Sequence, residues 1–160
     1  MKKLALLSAA LISTLIISCG GETKTQEVTT QSPIATGQES NTPVYDPKRG
    51  EGKFDESNVK IGPLNEAMAE KGVAIAGTKC TSCHKLTDEK LVGPGWKGVT
   101  TRKTPHWIMN FITNPDPMID KDPEVQAQLE LCLVRMPNQS LADEDARQIL
   151  EFMRKNDSSK

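Results

Sequence analysis

Two cysteines and a histidine stand close together in the middle of the chain, in the sequence CTSCH that runs from Cys80 to His84. Thiolates and neutral imidazoles bind metals, and paired thiols also form disulfides, act as redox dithiols or attach a cofactor covalently. Each of these four chemistries would give the protein a different function. The other cysteines and histidines, together with the elements around them, have to decide between the four.

The first cysteine, Cys19, belongs to a different kind of signal. Lys2 and Lys3 are followed by an uncharged, largely apolar run from Leu4 to Ser18, which is the pattern of a secretory leader. The run is shorter than the roughly 20 residues of a spanning helix, so a short membrane anchor is the less favoured interpretation. The sequence IISC at its end resembles the bacterial lipobox. The resemblance implies lipidation of Cys19 and stable anchoring on the periplasmic side of a bacterial membrane.

The remaining donors argue against three of the four interpretations of CTSCH. A disulfide framework has only Cys132 left as a further partner once Cys19 carries lipid. A zinc site needs about four ligands, and His106 and Cys132 are the only other strong donors in the domain. A thioredoxin-like dithiol requires a βαβ context, which the pattern does not predict. Covalent haem attachment uses all three residues, because the two thiols add to the vinyl groups and His84 then lies under the iron.

A haem iron bound by His84 has a sixth position to fill, and its ligand decides the function. Met136 lies 52 residues after His84 in a loop stiffened by Pro137, and it is the favoured ligand. Met118, in a second loop after NPDP, is the next choice, followed by His106 or an open site. Methionines in predicted helices are interpreted as core residues. A thioether stabilises ferrous iron and fills the coordination shell, whereas an open position is typical of a sensor or a peroxidase.

Residues 72–155 resemble a class I cytochrome c. The segments that carry the resemblance are GVAIAGTKCTSCH, VGPGWKGV, RMPNQ and ILEFM. The resemblance implies one covalently attached haem c and electron transfer as the function. It assigns Cys80 and Cys83 as the thioether links, His84 as the proximal iron ligand and Met136 as the distal one. It also implies that the Pro94 carbonyl accepts the other N–H of His84 and so orients the ring.

The same resemblance makes two statements about the core. The first and last helices are expected to meet at Gly72 and Phe152. The family usually carries an aromatic residue four positions before the first cysteine, and this chain has Ala76 there. Trp96 is expected to fill that space instead.

The elements that position these residues are predicted to be helical, about four of them wrapped around the haem. They are a helix over 64–79, a second that begins at Thr104-Pro105 and ends at NPDP, a third that begins at Asp122-Pro123, and a last one capped by Ser140. No stretch alternates like a strand, so the fold class is all-α. The predicted organisation is a lipoprotein leader over 1–18, a flexible low-complexity tether over 19–61, and the cytochrome domain over 62–160.

Two further residues have open interpretations. Cys132 lies on an apolar helix face, which favours a buried small hydrophobe over a reactive thiol. Trp107 is expected in the core, with a hydrogen bond from its indole N–H to a haem propionate as the alternative.

The charge pattern bears on the partners. The formal charge is −1, or −3 once Lys2 and Lys3 are removed, which argues against nucleic acid. Residues 64–103 carry seven basic and four acidic side chains, whereas residues 104–160 carry six basic and ten acidic ones. This asymmetry is either ordinary solvated surface or a basic rim that steers an acidic redox partner into transient contact.

The leading hypothesis is a membrane-tethered monohaem electron carrier rather than an enzyme, with no small-molecule substrate. It would carry single electrons between respiratory complexes, such as from a quinol-oxidising complex to a terminal reductase or oxidase. A haem sensor or weak peroxidase with a labile sixth ligand is the first alternative. A dedicated cytochrome subunit of a larger respiratory enzyme is the second.

Overall fold

The computed structural model of the chain describes residues 45–159, and six α-helices make up its regular structure. They are α1 (Glu66–Lys79), α2 (Val99–Arg102), α3 (Pro105–Thr113), α4 (Pro115–Lys121), α5 (Pro123–Cys132) and α6 (Asp143–Ser158). No strand occurs between residues 45 and 159, so the all-α prediction is confirmed. The short helices α2 and α4 come in addition to the four predicted. The predicted leader and Cys19 lie outside the described residues.

Side-chain caps explain where several helices begin. Thr104 accepts a 3.2 Å hydrogen bond from the Trp107 N–H at the start of α3, as its sequence predicts. Asn65 caps α1 by accepting the Met68 N–H at 3.0 Å. Helices α1 and α6 begin within three residues of their expected positions. The predicted cap of α6, however, is wrong. Ser140 does not cap α6, whose N-cap is Ala142.

The acidic first turn explains why α6 can begin without a side-chain cap. Ser140 has a positive φ of 51°, a backbone conformation outside the helix. The helix starts instead where Asp143, Glu144 and Asp145 follow one another. Three carboxylates near the free N–H groups of a first turn stabilise it through the helix dipole.

Helices α1 and α6 cross at a glycine. A Cβ atom on Gly72 would lie 2.2 Å from the Gln148 carbonyl oxygen and 2.9 Å from the Phe152 Cβ. Only glycine permits this approach, because real Cβ contacts are longer by about an ångström. The expected meeting of the two helices at Gly72 and Phe152 is confirmed.

A buried carboxylate fixes α6 to the start of α1. The Glu151 side chain is fully buried and pairs with Arg147 and, at 2.7 Å, with Arg154. Its Oε2 atom also accepts the backbone N–H of Asn65 at 3.1 Å. Burial alone would raise the pKa of Glu151, but the Arg147 and Asn65 hydrogen bonds outweigh it and lower the pKa. The carboxylate is therefore ionised where it joins the two helices.

The tether predicted over 19–61 is too long, because residues 45–61 pack on the helices. We call this segment the strap. Phe54 and Val59 are buried in the core, each 6% exposed. The side-chain amide of Asn110 in α3 forms three hydrogen bonds to the strap backbone. Its oxygen accepts the Phe54 N–H at 2.8 Å, and its nitrogen donates to the Phe54 and Arg49 carbonyls at 3.0 Å. Polar composition suggested disorder here, but two apolar anchors and a buried amide are enough to order the segment.

The stretch NPDP ends α3 and also begins α4, so Met118 lies in a helix and not in the predicted loop. Pro115 occupies the first position of α4, where its missing N–H costs nothing. Met118 and Ile119 turn inward, and Met118 is completely buried. Within residues 45–159, no helix has both the length and the apolar composition needed to cross a membrane.

Candidate functional site: the cleft between His84 and Met136

The CTSCH sequence forms a tight turn at the C-terminal end of α1. Cys80 caps the helix, and its N–H donates to the Ala76 carbonyl at 2.8 Å. The N–H groups of Cys83 and His84 both reach back to the Cys80 carbonyl at 3.0 Å. Neither cysteine forms a disulfide. The turn brings the two thiols and the imidazole to the same edge of an apolar cleft.

This cleft consists of two adjoining cavities with volumes of about 270 and 140 Å³. Cys80 lines the larger cavity and Cys83 the smaller one. His84 and Met136 line both. The four residues predicted to attach and ligate a haem therefore surround one continuous space.

The His84 ring is oriented by the loop that follows it. Its Nδ1 atom lies 2.8 Å from the Pro94 carbonyl oxygen. A carbonyl can only accept, so Nδ1 carries the proton and the Nε2 lone pair is left free. Burial lowers the pKa of His84, and the hydrogen bond to Pro94 opposes this only in part. The imidazole is thus neutral and in the tautomer that binds a metal through Nε2.

The loop backbone lies directly against that ring. A Cβ atom on Gly93 would be 2.4 Å from the His84 Cε1 atom, so no other side chain fits there. The N–H groups of Val92 and Gly93 donate to the Cys83 carbonyl at 3.2 and 2.9 Å. Trp96 lies with its ring centroid 5.8 Å from His84 and 6.2 Å from Phe152 of α6. We call residues 80–96 the proximal wall.

Trp96 was expected to fill the space left by Ala76, where the family usually has an aromatic residue, and its buried indole supports this. Ala76 is completely buried in α1 and offers no ring. Trp96 instead bridges His84 and α6, and it is only 6% exposed.

The opposite side of the cleft, which we call the distal wall, consists of α3, α5 and the loop 133–137. Met136 is half-buried and lines both cavities. Met118 lines neither, because its side chain packs beneath Gly50 of the strap. His106 is likewise absent from both cavities. Of the candidates considered for the sixth position, only Met136 faces His84 across the cleft.

Trp107 is a core residue, as expected, whereas Cys132 is less buried than expected. The Trp107 indole N–H donates to Asp122 at 2.8 Å, so its partner is a protein carboxylate rather than a propionate. Trp107 is buried, as expected, but it also lines both cavities. Cys132 was expected to be a buried small hydrophobe, but it is only half-buried and lines the smaller cavity beside Met136.

Basic side chains from the first half of the domain reach across the cleft. Lys79 donates to the Gln139 carbonyl at 2.9 Å, and Lys90 donates to the Leu131 carbonyl. Lys103 lies 4.3 Å above the Trp107 ring and pairs with Glu124 at 2.6 Å. A basic rim that selects a redox partner stays a prediction, since these lysines have partners within the protein.

The arrangement fits a covalently attached haem. Two unpaired thiols, a neutral imidazole with one free nitrogen, and a thioether surround an apolar cleft. Because Gly93 has no side chain, the backbone of its loop can lie directly against the imidazole. These are the donors of a low-spin iron with one nitrogen and one sulfur ligand. A cluster of three or more His, Cys, Asp or Glu side chains that could hold a metal ion does not occur in residues 45–159.

The sequence did not reveal that the Asp122 side chain joins several segments of the fold by hydrogen bonds. It did predict this residue as the start of a helix, but Asp122 also binds Tyr45 of the strap and Trp107 of α3. These partners are distant in sequence, and no local pattern pairs them. The only available signal was the Asp-Pro dipeptide, which predicts a cap.

Comparison with known proteins agrees with this geometry. The family model described as cytochrome c matches residues 69–157. A cytochrome c from Rhodothermus marinus is similar in structure, with a TM-score of 0.64, 33% identity, and coverage of 71% of this chain and 95% of that chain. An engineered form of the Rhodothermus marinus protein gives a TM-score of 0.63 at 32% identity, covering 71% of this chain and 100% of that one.

A further structure of that engineered protein has a carbene intermediate bound, with a TM-score of 0.60, 32% identity and the same coverage of 71% and 100%. No curated protein sequence matches significantly.

Proposed function

Because this chain belongs to the cytochrome c family, we propose that it carries single electrons between respiratory complexes while tethered to a membrane. Family membership establishes a haem-based electron carrier with one covalently attached haem c. The haem supplies a one-electron ferric/ferrous couple when bound. The residues of this chain attach it, orient its ligands, cover it and leave one edge open.

We assign Cys80 and Cys83 as the thioether links and His84 as the proximal ligand through Nε2. Pro94 holds the other ring nitrogen and keeps the imidazole neutral. A histidine whose second nitrogen donates to a carbonyl is a stronger and better-oriented ligand. Met136 is the distal ligand, because it alone among the candidate residues lines the same two cavities as His84. That shared cleft is the single observation that carries the proposal.

A histidine–methionine pair favours electron transfer over substrate chemistry. The thioether prefers ferrous iron and raises the reduction potential. It also closes the position at which oxygen, peroxide or carbon monoxide would bind. The apolar walls exclude water and so reduce the solvent reorganisation that accompanies a change in iron charge.

The accessible edge of the site suits brief contact with a protein partner. Val92 and Val134 line the smaller cavity and are also exposed at the surface. Leu91, Leu131 and Leu133 extend this exposed apolar area. Small interfaces of this kind serve redox encounters that must form and separate quickly.

The membrane tether rests on the N-terminal sequence. The leader-like sequence over 1–18 and the lipobox-like IISC that ends at Cys19 support a periplasmic, lipid-anchored protein. With the strap assigned to the folded domain, the proposed tether shortens to 19–44. It would keep the domain near membrane complexes while allowing it to reach more than one of them.

The test is visible spectroscopy of the full chain, produced with a c-type haem ligation system and extracted in mild detergent. The wild type should show covalent low-spin haem with the weak methionine–ferric band. Met136→Leu should lose that band and bind carbon monoxide when reduced, whereas the control Met118→Leu should keep it.

A band that survives in Met136→Leu would overturn the ligand assignment. A wild-type protein that is already high-spin and binds carbon monoxide freely would replace the carrier by a sensor or peroxidase. Co-purification in a stable complex would point instead to a fixed enzyme subunit.

A further inference from the structure

Asp122 is a buried carboxylate on the distal side that electron transfer itself does not require. It is only 1% exposed, and both of its oxygens accept hydrogen bonds. The Oδ1 atom caps α5 by accepting the N–H groups of Glu124 at 2.8 Å and Val125 at 3.1 Å. The Oδ2 atom accepts the Trp107 indole N–H at 2.8 Å and the Tyr45 hydroxyl. One side chain thus joins the strap, α3 and α5.

The groups held by Asp122 face the cleft. Trp107 and Val125 both line the two cavities that Met136 also lines. The indole ring has further contacts on its faces, with Phe111 at 5.1 Å between centroids and Lys103 at 4.3 Å. These contacts fix the tilt of the ring, and the hydrogen bond to Asp122 fixes its rotation.

Helix α5 connects the carboxylate to the Met136 loop. It begins at the residue after Asp122 and ends at Cys132, four residues before Met136. Gln128, Leu129 and Cys132 on its length line the cleft. A shift at the capped end of so short a helix would therefore move the wall that supports the methionine.

We propose that Asp122 is a positioning residue for the distal ligand. It holds Trp107 and the start of α5 so that Met136 stays on the iron, and Tyr45 extends this control to the strap. The inference rests on the proposed role of Met136. It also gives the strap a role besides stabilising the fold. Through Tyr45, the strap, which follows the proposed tether in sequence, contacts the wall that supports the sixth ligand.

The protonation states agree with the geometry. Burial raises the pKa of Asp122, but the hydrogen bonds from Tyr45 and Trp107 outweigh it and lower the pKa overall. Burial and the neighbouring Asp122 raise the pKa of Tyr45, so its hydroxyl keeps the proton that it donates. An ionised acceptor forms stronger hydrogen bonds than a neutral one.

The variant Asp122→Asn tests the proposal with little change in shape. Asparagine caps a helix as well as aspartate does, so α5 keeps its cap. With its amide oxygen retained at the helix cap, its amide nitrogen can accept from neither Trp107 nor Tyr45, and the indole loses a charged partner. We expect exogenous imidazole to displace Met136 from ferric iron about tenfold more readily, since hydrogen bonds to charged groups have about that strength. The methionine–ferric band should weaken and the reduction potential should fall.

Tyr45→Phe removes only the bond from the strap. It should tighten imidazole binding by roughly threefold, because one of four hydrogen bonds is lost and the carboxylate keeps the indole. This variant decides the question if Asp122→Asn fails to fold with haem.

The matched control is Glu151→Gln, which alters the other buried carboxylate, at the contact of α1 with α6. It should lower the unfolding midpoint and leave imidazole affinity unchanged. Equal imidazole binding by wild type and Asp122→Asn would overturn the inference, as would equal tightening in the control. A wild-type protein without the methionine–ferric band would overturn both the ligand assignment and this inference. A normal wild type with an unaltered Asp122→Asn would overturn the inference alone.

Discussion

The proximal and distal walls of the cleft are supported by different parts of the chain. The proximal wall follows directly from α1 and packs through Trp96 on α6. The distal wall depends on Asp122, which gathers the strap, α3 and α5 from three places in the sequence. Two buried carboxylates make the same contrast: Glu151 lies behind the proximal wall and joins the N-terminal end of α1 to α6, whereas Asp122 contacts the distal wall itself.

The surfaces of the two walls differ as well. Both walls have exposed apolar side chains, but those beside the Met136 loop are more exposed: Leu131 is 66% and Leu133 84% exposed, against 48% for Leu91 of the proximal wall. The ring of His84 is half-buried and is held on the proximal side by Pro94, Gly93 and Trp96. A stiff proximal wall keeps the imidazole in place, and a distal wall supported from a distance leaves Met136, the proposed second ligand, open to adjustment.

The largest effect is expected from deleting the strap, residues 45–61. The deletion removes Phe54 and Val59 from the core, at about 1.5–3 kcal/mol each, so the free energy of unfolding should fall by about 4 kcal/mol. The methionine–ferric band should weaken, while covalent haem attachment persists. Guanidinium unfolding of the haem-containing protein and its visible spectrum measure the two effects.

The control removes residues 24–40, a stretch of the same length within the proposed tether. It should leave both stability and spectrum unchanged. If the two deletions behaved alike, the strap would have no part in supporting the distal wall.

The proximal wall was largely predictable from sequence, because its contacts are local. CTSCH, the glycine–proline loop and Trp96 lie within a span of 17 residues, from Cys80 to Trp96. The caps of α3 and α5 were also readable, since a cap is decided by a residue and the two or three that follow it.

The distal wall was predictable only in part. Met136 stood out as the loop methionine, and the cleft places it opposite His84. The strap was missed because polar composition outweighed two isolated apolar residues, Phe54 and Val59. Met118 was placed in a loop because prolines usually interrupt helices, although both prolines of NPDP fall in a first turn, where they are tolerated. The network of Asp122 could not be read, since its partners are brought together only by tertiary packing.

The next largest effect concerns the helix pair behind the proximal wall. Gly72→Ala should destabilise the protein by about 3 kcal/mol, because the new Cβ would overlap the Gln148 carbonyl, which backbone rigidity keeps in place. The matched control is Gly77→Ala in the same helix, where nothing lies within 4 Å of the new atom. It should stabilise α1 by about 0.5–1 kcal/mol.

Thermal unfolding followed by circular dichroism measures both variants. Imidazole binding at 25 °C should be unchanged in each, because the pair does not touch the distal wall. Tighter imidazole binding in Gly72→Ala alone would mean that the two walls are coupled after all.

Glu151→Gln should have an intermediate effect that depends on pH. At pH 7 we expect a loss of about 2 kcal/mol, less than for a fully enclosed ion pair because both arginines remain partly exposed. The folded-state pKa of Glu151 lies below its ordinary value of 4.5. Its stabilisation is therefore complete above about pH 4.5 and is lost as the pH falls through the folded-state pKa.

The difference in unfolding free energy between wild type and Glu151→Gln should consequently shrink below pH 4.5. Urea unfolding at several pH values measures it, with the exposed Glu130→Gln of α5 as the control. A difference that stays constant down to pH 3 would show that the contribution of Glu151 is packing and not charge.

The smallest effect concerns the end of the distal wall. Leu133 ends α5 in the left-handed conformation, with φ of 58°, while its side chain is 84% exposed. Leucine is strained there and gains almost nothing from burial, so Leu133→Gly should stabilise the protein by about 0.5–1 kcal/mol. Leu133→Asn, which keeps a side chain and tolerates this conformation, should give a smaller gain.

The contrast between the walls also predicts an effect on the ligand. Because the loop to Met136 begins at Leu133, relaxing the backbone there should slow displacement of the methionine by imidazole. Stopped-flow mixing of the ferric protein with imidazole measures that rate. A stabilised variant with an unchanged rate would mean that the strain at Leu133 is confined to the helix end and that Asp122 alone controls the ligand.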